Sequence, residues 1–481
     1  MHLINFLKQH GYEIELSSER LSRLTGSLKI DSRTVERGDI YLAVPLLNGG
    51  SNKTYIEEAR QRGAELILSL PEGREVWAKW AKACYPSQPE KIVAVTGTNG
   101  KSSTVHFVRH LWESAGLKAA SLGTLGLVSS SDSFSSEISA TQLTSPDSMT
   151  LHACLNTLAR RGVQHVALEA SSHGLDQHRL DEVEFQAAAF TNFSHEHLDY
   201  HGTLEKYFQA KCRLFKELLP VAGVAVLNGD DEYGQEIGKI CSYKGQSILW
   251  FGRREADLCL EDIRTSTKGL ALKLKIFSKP FEREVPLIGS FQAENILAAL
   301  GLAIASGLKI EQVIEGLGAL TCVPGRMEYV GQTQGGGVVL IDYAHKPQAL
   351  KTILKSVRVH ASGKVIIVFG CGGNRDREKR KMMGAIACQL ADHVIITDDN
   401  PRDEKAADIR AEIRQGCLNA DEISPREEAI AQGVNLTKPG DICIIAGKGH
   451  EQGQIIGSTV LPFEDRKVVR ELLQKTGGRL A

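Results

Sequence analysis

Short runs of aliphatic and β-branched residues punctuate this chain, and between them apolar positions recur every three or four residues. From residue 92 onward, the runs at 92–95, 166–168, 187–191 and 224–227 read as buried strands. Helical stretches separate them. The clearest begins near residue 101, where Val105, Val108, Leu111, Trp112 and Ala115 fall on one helical face. Strands that are apolar throughout, alternating with helices, predict a mainly parallel sheet covered on both faces. The alternation restarts after the Cys-Val-Pro-Gly-Arg stretch at 322–326, with runs at 338–342, 365–369, 394–397 and 442–446. That part reads as an open doubly wound sheet, whose ligands collect at the carboxyl ends of its strands. Upstream, runs at 40–44 and 66–70 flank a helix at 55–63 and predict a small α/β domain, with 85–90 as its linker. The fold class is therefore α/β in three domains, at 1–88, 89–323 and 324–481. A Ser-rich segment at 129–136 reads as an exposed loop.

At 481 residues the chain exceeds what one core organises, which agrees with several domains. Hydrophobic residues at 42% and charged residues at 24% are ordinary for a globular protein. Lys plus Arg number 57 against 58 Asp plus Glu, so a formal charge of -1 offers no electrostatic case for a nucleic acid or membrane partner. The ten cysteines contain no C-x-x-C and read as free thiols in a reducing compartment. The N-terminus lacks the pattern of a signal peptide, and no apolar run approaches the ~20 residues that span a bilayer. The expectation is a cytoplasmic protein.

Residues 94–102, Ala-Val-Thr-Gly-Thr-Asn-Gly-Lys-Ser, carry the strongest chemical signal. A strand enters a turn with Gly97 and Gly100, and a helix follows. Such a turn binds phosphate: its backbone N–H groups and the helix N-terminus face an anion, Lys101 adds a point charge, and Ser102 offers a hydroxyl to Mg²⁺. The strict Walker A spacing needs a glycine where Val95 stands, so this is a shortened relative of that loop. The bland alternative is an ordinary strand-to-helix turn.

Glu169 sits at the end of the 166–168 run, where a carboxylate facing a triphosphate serves as an Mg²⁺ ligand; a salt bridge within the sheet is the alternative. The loop at 191–202, Thr-Asn-Phe-Ser-His-Glu-His-Leu-Asp-Tyr-His-Gly, concentrates titratable groups but lacks the second histidine of H-E-x-x-H, which argues against zinc. His197 reads as a partner of Glu169 at a hard-metal site, Asp199 and His201 as groups that order the loop, and His195 and His201 as structural. Lys211 lies on an amphipathic helix at 207–215. A bare ammonium would repel Mg²⁺, so Lys211 either faces solvent, the reading its residues favour, or is chemically neutralised in the site.

Together these motifs resemble the Mur ligases, the ATP-dependent amino-acid ligases of peptidoglycan synthesis, and in particular their diaminopimelate-adding branch. The resemblance runs from Asp-Ser-Arg at 31–33 to Glu451. It implies that 1–88 binds a UDP-linked substrate, 89–323 binds ATP in a P-loop-like sheet, and 324–481 is a Rossmann-like amino-acid domain. It also implies that Gly97, Thr98, Asn99, Gly100, Lys101, Ser102 and Ser103 hold the ATP phosphates, that Asn295 faces adenine, and that Arg326, Asp342 and His345 lie near ribose and phosphates. Mg²⁺ would fall to Ser102, Glu169, His197 and Lys211, the lysine carried as a CO2-derived carbamate that turns the cation into a carboxylate. Lys101, Glu169, His197 and Lys211 form the implied catalytic set.

UDP-MurNAc-L-Ala-D-Glu would be contacted by Ser32, Thr144, Ser145, Ser171, Gln177 and Arg179, and meso-diaminopimelate by Arg375, Asp399, Asn400, Pro401, Arg402, Gly447 and Glu451. The chemistry is sensible. Diaminopimelate differs from lysine by a second ammonium-carboxylate centre, whose carboxylate a guanidinium such as Arg402 grips bidentately and whose ammonium pairs with Glu451. Lysine would leave those charges without partners. Ser145, Glu196, Asn374, Lys346 and Gln348 depart from the family's usual Thr, Asp, Asp, Thr and Asp. The implied protein is a monomer acting on small molecules through an acyl phosphate, with closure of the third domain onto the second. Its rivals are a lysine-adding Mur ligase, a folylpolyglutamate synthetase-like ligase and a non-catalytic ATP-binding scaffold.

Overall fold

The computed structural model describes residues 28–29, 31–43, 52–69, 75–129, 143–266 and 269–481. The strand ends expected at Val44 and Leu70, the Ser-rich loop beyond Ser129 and the N-terminal segment lie outside the described residues. The chain forms two compact units, residues 1–256 with 298–309 and residues 257–297 with 310–481.

The first unit opens with a parallel three-stranded sheet of β1 (Leu28–Lys29), β2 (Ile40–Ala43) and β3 (Leu66–Ser69). Tyr41, Ala43 and Val35 pack with Ala59 and Ile56 of the helix Lys53–Gln61. The larger sheet holds β4 (Lys91–Thr96), β5 (Ala119–Gly123), β6 (Gly126–Ser129), β7 (His165–Glu169), β8 (Phe185–Phe190), β9 (Val224–Asn228) and β10 (Ser247–Gly252). Their spatial order is β10-β9-β8-β4-β7-β5-β6, all parallel except β6, which runs antiparallel to β5. The four runs expected as strands are β4, β7, β8 and β9. β4 is central, and the chain crosses from one side of it to the other between β7 and β8. Its carboxyl end is thus a topological switch point, where such sheets bind ligands. The helix Lys101–Ser114 follows, with Val105, Val108, Leu111 and Trp112 buried as their spacing requires and Ala115 as its C-cap.

The second unit contains an antiparallel meander of β11 (Leu258–Ser266), β12 (Gly269–Ile276) and β13 (Lys279–Val285). In β12, Leu270, Leu272, Leu274 and Ile276 are buried while Lys273 and Lys275 face solvent, the period of a half-buried strand. A seven-stranded sheet follows from β14 (Glu328–Gln332), β15 (Val338–Asp342), β16 (Val365–Phe369), β17 (His393–Ile396), β18 (Asp421–Glu422) and β19 (Ile442–Ala446). A hairpin of β20 (Gly453–Ile456) and β21 (Thr459–Pro462) precedes the last sheet strand, β22 (Arg479–Leu480). The sheet order is β18-β17-β16-β19-β15-β14-β22, parallel from β18 to β15.

Alternate residues of these strands enter different cores. Leu340, Ile367, Phe369, Ile396 and Ile444 pack under the helices Pro347–Arg358, Glu378–Leu390 and Ala406–Arg414. Val339, Ile341, Val368, Ile395 and Ile445 pack under Arg426–Leu436 and Asp465–Lys475. Both faces are covered, which is why the runs are apolar without interruption. Among the described residues no helix is long and apolar enough to cross a membrane, and all ten cysteines are free.

Candidate active site

The candidate residues fall on both units, and each set is built within its own unit. In the first unit, β4 ends at Thr96 and the chain turns through Gly97 and Gly100 into the helix that begins at Lys101. Gly97 adopts φ 144°, and a Cβ there would collide with Thr191 Oγ1; Gly100 caps the helix at φ 87°. Only glycine suits either position. The end of β8 braces the loop. Thr98 N donates to Asn192 O at 2.8 Å, Asn99 N to Asn192 Oδ1 at 2.9 Å, and Thr191 Oγ1 to Asn99 O at 2.6 Å. Ser102 and Ser103 occupy the first helical turn behind it.

Two lysines converge on this loop. Lys101 Nζ donates to Gly97 O at 2.9 Å and Thr98 O at 2.8 Å, and Lys211 Nζ donates to the same Gly97 carbonyl at 2.7 Å. Lys211 is only 1% exposed and its Nζ lies 4.5 Å from the centre of the Tyr207 ring. The solvent-facing reading of Lys211 is therefore wrong. Its helix, Leu204–Arg213, turns the Lys211 face inward together with Tyr207, Phe208 and Cys212. Burial holds the Lys211 pKa well below the usual lysine value, and the charge of Lys101 pushes the same way.

Glu169, at the end of β7, is buried, and its carboxylate accepts from Thr124 N at 2.9 Å and Thr124 Oγ1 at 3.1 Å. His197 stands at φ 57° before the short helix Leu198–His201, edge-on to His173 with ring centres 5.0 Å apart. Burial lowers its pKa, Glu196 opposes that, and His173, Lys101 and Lys211 add to it. Both shifts disfavour the charged forms of Lys211 and His197, which lessens the repulsion a cation would meet beside Glu169. Among the described residues no three His, Cys, Asp or Glu side chains gather to hold a metal. Mg²⁺ takes oxygen ligands and is commonly held by one or two carboxylates together with substrate phosphates, so of these groups the Glu169 carboxylate suits it directly. His195 is exposed, as is Asp199, while His201 is buried and hydrogen bonded to Ser172 Oγ at 3.0 Å.

The residues assigned to the UDP-linked substrate join the same region. Ser145 Oγ donates to Glu169 O at 2.8 Å and lies 3.0 Å from Ser171 Oγ, and Thr144 Oγ1 is 3.3 Å from Thr124 Oγ1. Arg179 Nη1 donates to Ser145 O at 2.7 Å and Nη2 to Gln177 Oε1 at 2.6 Å, while Gln177 Nε2 donates to Tyr200 OH at 3.0 Å. Ser32 stands outside this network, donating to Glu58 Oε2 at 2.7 Å. Thr124, which links Glu169 to Thr144, was missed by sequence reasoning; only the pairing of β5 with β7 brings it there.

In the second unit the candidates crowd at the carboxyl ends of β16, β17, β19 and β15. Asn400 Nδ2 donates to Glu451 Oε2 at 2.9 Å, joining the loop after β17 to the loop after β19. Arg402 sits at φ 52°, a strained conformation for a long side chain. Its backbone is pinned on both sides, N donating to Ile455 O at 3.1 Å and O accepting from Gly457 N at 2.8 Å, and its Nη1 donates to Gly373 O at 2.9 Å. Asp399 is buried, Pro401 lies between Asn400 and Arg402, Gly447 N donates to Asp342 O at 3.1 Å, and Arg375 is exposed on the loop after β16.

Asn295, Arg326, Asp342 and His345 also belong to this unit. Asn295 Nδ2 donates to Gln292 Oε1 at 2.9 Å, and the Arg326 guanidinium lies 4.9 Å from the Tyr343 ring centre. Asp342 accepts from Met327 N and Ala344 N, both at 2.7 Å, and burial raises its pKa against the pull of Arg326. Burial lowers the pKa of His345. Lys448, fully buried beside Asn400 and Glu451, was also missed, although it lies inside the Ala-Gly-Lys-Gly-His-Glu stretch at 446–451.

Comparison with known proteins matches this arrangement to one family. Residues 95–303 match the family model "Mur ligase middle domain" and residues 325–449 match "Mur ligase, glutamate ligase domain". The UDP-N-acetylmuramoyl-L-alanyl-D-glutamate--2,6-diaminopimelate ligase of Rhizobium meliloti (strain 1021) is 42% identical over 462 residues, covering 93% of this chain and 94% of that protein. The chain belongs to the Mur ligase family. The ligase of the same name from Brucella melitensis biotype 1 is 41% identical over 481 residues, covering 96% of this chain and 97% of its own. A solved structure with that ligase name superposes with a TM-score of 0.71 at 34% identity, covering 98% of this chain and 99% of the other. A Mycobacterium tuberculosis folylpolyglutamate synthase bound to ADP, 18% identical over 78% of this chain and 91% of its own, shares the fold at a TM-score of 0.61. As a Mur ligase, the chain carries the α/β architecture expected of it, with a central mostly parallel sheet and an open C-terminal sheet.

Proposed function

We propose that this Mur ligase is an ATP-dependent amide ligase that adds meso-2,6-diaminopimelate to UDP-N-acetylmuramoyl-L-alanyl-D-glutamate in peptidoglycan precursor synthesis. Relatives of that name at 41–42% identity support the reading. The observation that carries it is the glycine-rich loop with Lys101 and a buried Lys211 on one carbonyl, together with the Asn400–Glu451 hydrogen bond in the loops that carry Arg402 and Gly447.

In this reading the D-glutamyl carboxylate attacks the γ-phosphorus of ATP, releasing ADP and leaving an acyl phosphate. The free amine of diaminopimelate then attacks the acyl carbon, and loss of phosphate and a proton gives the amide. Positioning and charge neutralisation supply most of the acceleration. Gly97 through Ser103 hold the phosphates, and Lys101 leaves its own loop carbonyls to meet them. Ser102, Glu169, His197 and a carbamylated Lys211 would hold Mg²⁺, which supplies positive charge to the transferring phosphoryl group. Burial disfavours the ammonium form of Lys211 and so favours the free amine, the form that attacks CO2 with loss of a proton; the carbamate would remove the positive charge that opposes Mg²⁺.

Ser32, Thr144, Ser145, Ser171, Gln177 and Arg179 take the UDP-linked substrate. Asn295, Arg326, Asp342 and His345 take the adenosine side of ATP. Asp399, Asn400, Pro401, Arg402, Gly447, Glu451 and Arg375 take diaminopimelate. The reading divides the chain into a nucleotide-sugar domain to about residue 88, an ATP domain to about residue 323 and an amino-acid domain beyond. In this reading the enzyme works in the cytoplasm, in keeping with ten free thiols, and acts as a monomer. The test offers the protein ATP, Mg²⁺ and UDP-MurNAc-L-Ala-D-Glu with meso-diaminopimelate or L-lysine separately. Mass spectrometry should show the diaminopimelate adduct in strong preference; a lysine adduct formed as readily would overturn it.

A further inference from the structure

Lys448 is fully buried, and an ammonium in that position must find its counter-charges inside the protein. It lies between two loops of the second unit. Its Nζ donates to Asn400 Oδ1 at 3.0 Å and to Glu451 Oε2 at 3.2 Å, and Asp399 Oδ1 stands 3.6 Å away. Asn400 completes the arrangement, with Nδ2 donating to Glu451 Oε2 at 2.9 Å and Oδ1 also accepting from Ile455 N at 3.0 Å. Lys448 has donors only, so together with Ile455 N it fixes which way the Asn400 amide faces: oxygen toward the ammonium and amide nitrogen toward Glu451.

Two donors therefore hold one oxygen of Glu451 and leave the other free. Asp399 Oδ1 is buried without a hydrogen-bond partner, within ion-pair distance of the same ammonium. Two carboxylates share one lysine. The cluster thus sets two carboxylates around one ammonium at the carboxyl ends of β17 and β19, beside Arg402, whose backbone is held by the β20 hairpin through Ile455.

We propose that Lys448 is a positioning residue that determines amino-acid specificity: it locks Asn400, Glu451 and Asp399 into the geometry that receives the distal ammonium of a diamino dicarboxylic acid while Arg402 receives its carboxylate. This rests on the ligase reading above. Lys448 touches no ligand atom itself. Without it, Asn400 keeps only Ile455 N on its amide oxygen, Glu451 loses one of its two anchors, and the buried Asp399 and half-buried Glu451 lose the ammonium they share. The distal centre of diaminopimelate then meets a slack pocket. ATP and the UDP-linked substrate, bound by other residues, do not sense the change.

The test compares wild type with Lys448→Gln and Lys448→Met in an ADP-release assay, with meso-diaminopimelate and L-lysine as alternative acceptors. Lys448→Gln keeps N–H donors for Asn400 and Glu451 but no charge; it carries the test if Lys448→Met fails to fold. The expected result is a rise of at least tenfold in KM for diaminopimelate, larger for Met than for Gln. The preference for diaminopimelate over lysine should fall by at least tenfold, with KM for ATP and for the UDP-linked substrate within twofold of wild type. A folded Gln variant with unchanged KM for diaminopimelate, or one whose KM values all rise together, would overturn the proposal. Wild type that releases ADP without regard to diaminopimelate would overturn the ligase reading, and this proposal with it.

Discussion

Arg426 and Asp465 form an ion pair with both side chains fully buried, and replacing Arg426 by methionine should weaken the second unit more than any surface change. Arg426 Nε and Nη2 each reach a different oxygen of Asp465 at 2.7 Å. The remaining N–H groups donate to Asp398 O at 3.2 Å and Ala446 O at 3.0 Å, the residues just before Asp399 and Gly447. The pair therefore sits beneath the loops after β17 and β19 and ties them together. Removing one member of a buried pair strands the other charge and costs about 3–5 kcal/mol. At about 2–4 °C per kcal/mol for units of roughly 150–250 residues, the melting transition of the second unit should fall by about 6–20 °C. Arg426→Met/Asp465→Leu should recover much of that, because an apolar replacement of both partners is often neutral. It should not recover function. The bonds to Asp398 O and Ala446 O are missing in both variants, so both should show a raised KM for diaminopimelate. Urea and thermal unfolding measure the first effect and steady-state kinetics the second. A single variant within 1 kcal/mol of wild type, or a double variant no more stable than the single, would refute the reasoning.

Lys101→Ala should lower turnover by at least about a thousandfold while the circular dichroism spectrum stays native, since it removes the one flexible cation of the phosphate loop; near-normal kcat refutes that role. Lys211→Ala should lose activity as severely, with partial recovery in excess formate or acetate, which restore a carboxylate; no recovery argues against the carbamate. Arg402→Ala should cut the preference for diaminopimelate over lysine by about tenfold or more, the scale of losing one bidentate carboxylate contact; equal loss with both acceptors contradicts it. Glu404, hydrogen bonded chiefly to Arg380, has its pKa lowered to about 2. Its contribution is present above the ordinary glutamate range and lost as pH falls toward about 2, so acid should destabilise wild type through that window and Glu404→Gln should flatten the slope.

The strands β4, β7, β8, β9, β15, β16, β17 and β19 were legible because helices cover both of their faces, which leaves an unbroken apolar run in each. β5 and β6 were not, being short and interrupted by Ser121, Gly123 and Gly126. β12 carries a clear alternation of leucines and lysines, but that is the signal of a half-buried strand, and a search for continuous apolar runs passes over it. The site divides in the same way. Gly97, Gly100 and Lys101 declare themselves because a phosphate loop is local in sequence. Lys211 reads as a surface residue until the packing of Leu204–Arg213 turns it inward. Thr124 and Lys448 act through partners 45 and 48 residues away, contacts that strand order creates and spacing does not reveal.

The proposed function turns on activation of a carboxylate as its acyl phosphate. The most direct measurement places oxygen-18 in the D-glutamyl carboxylate of UDP-MurNAc-L-Ala-D-Glu, runs one turnover with ATP and meso-diaminopimelate, and weighs the released inorganic phosphate. The account predicts phosphate that carries one labelled oxygen, with the other retained in the new amide. Unlabelled phosphate alongside labelled product would contradict it.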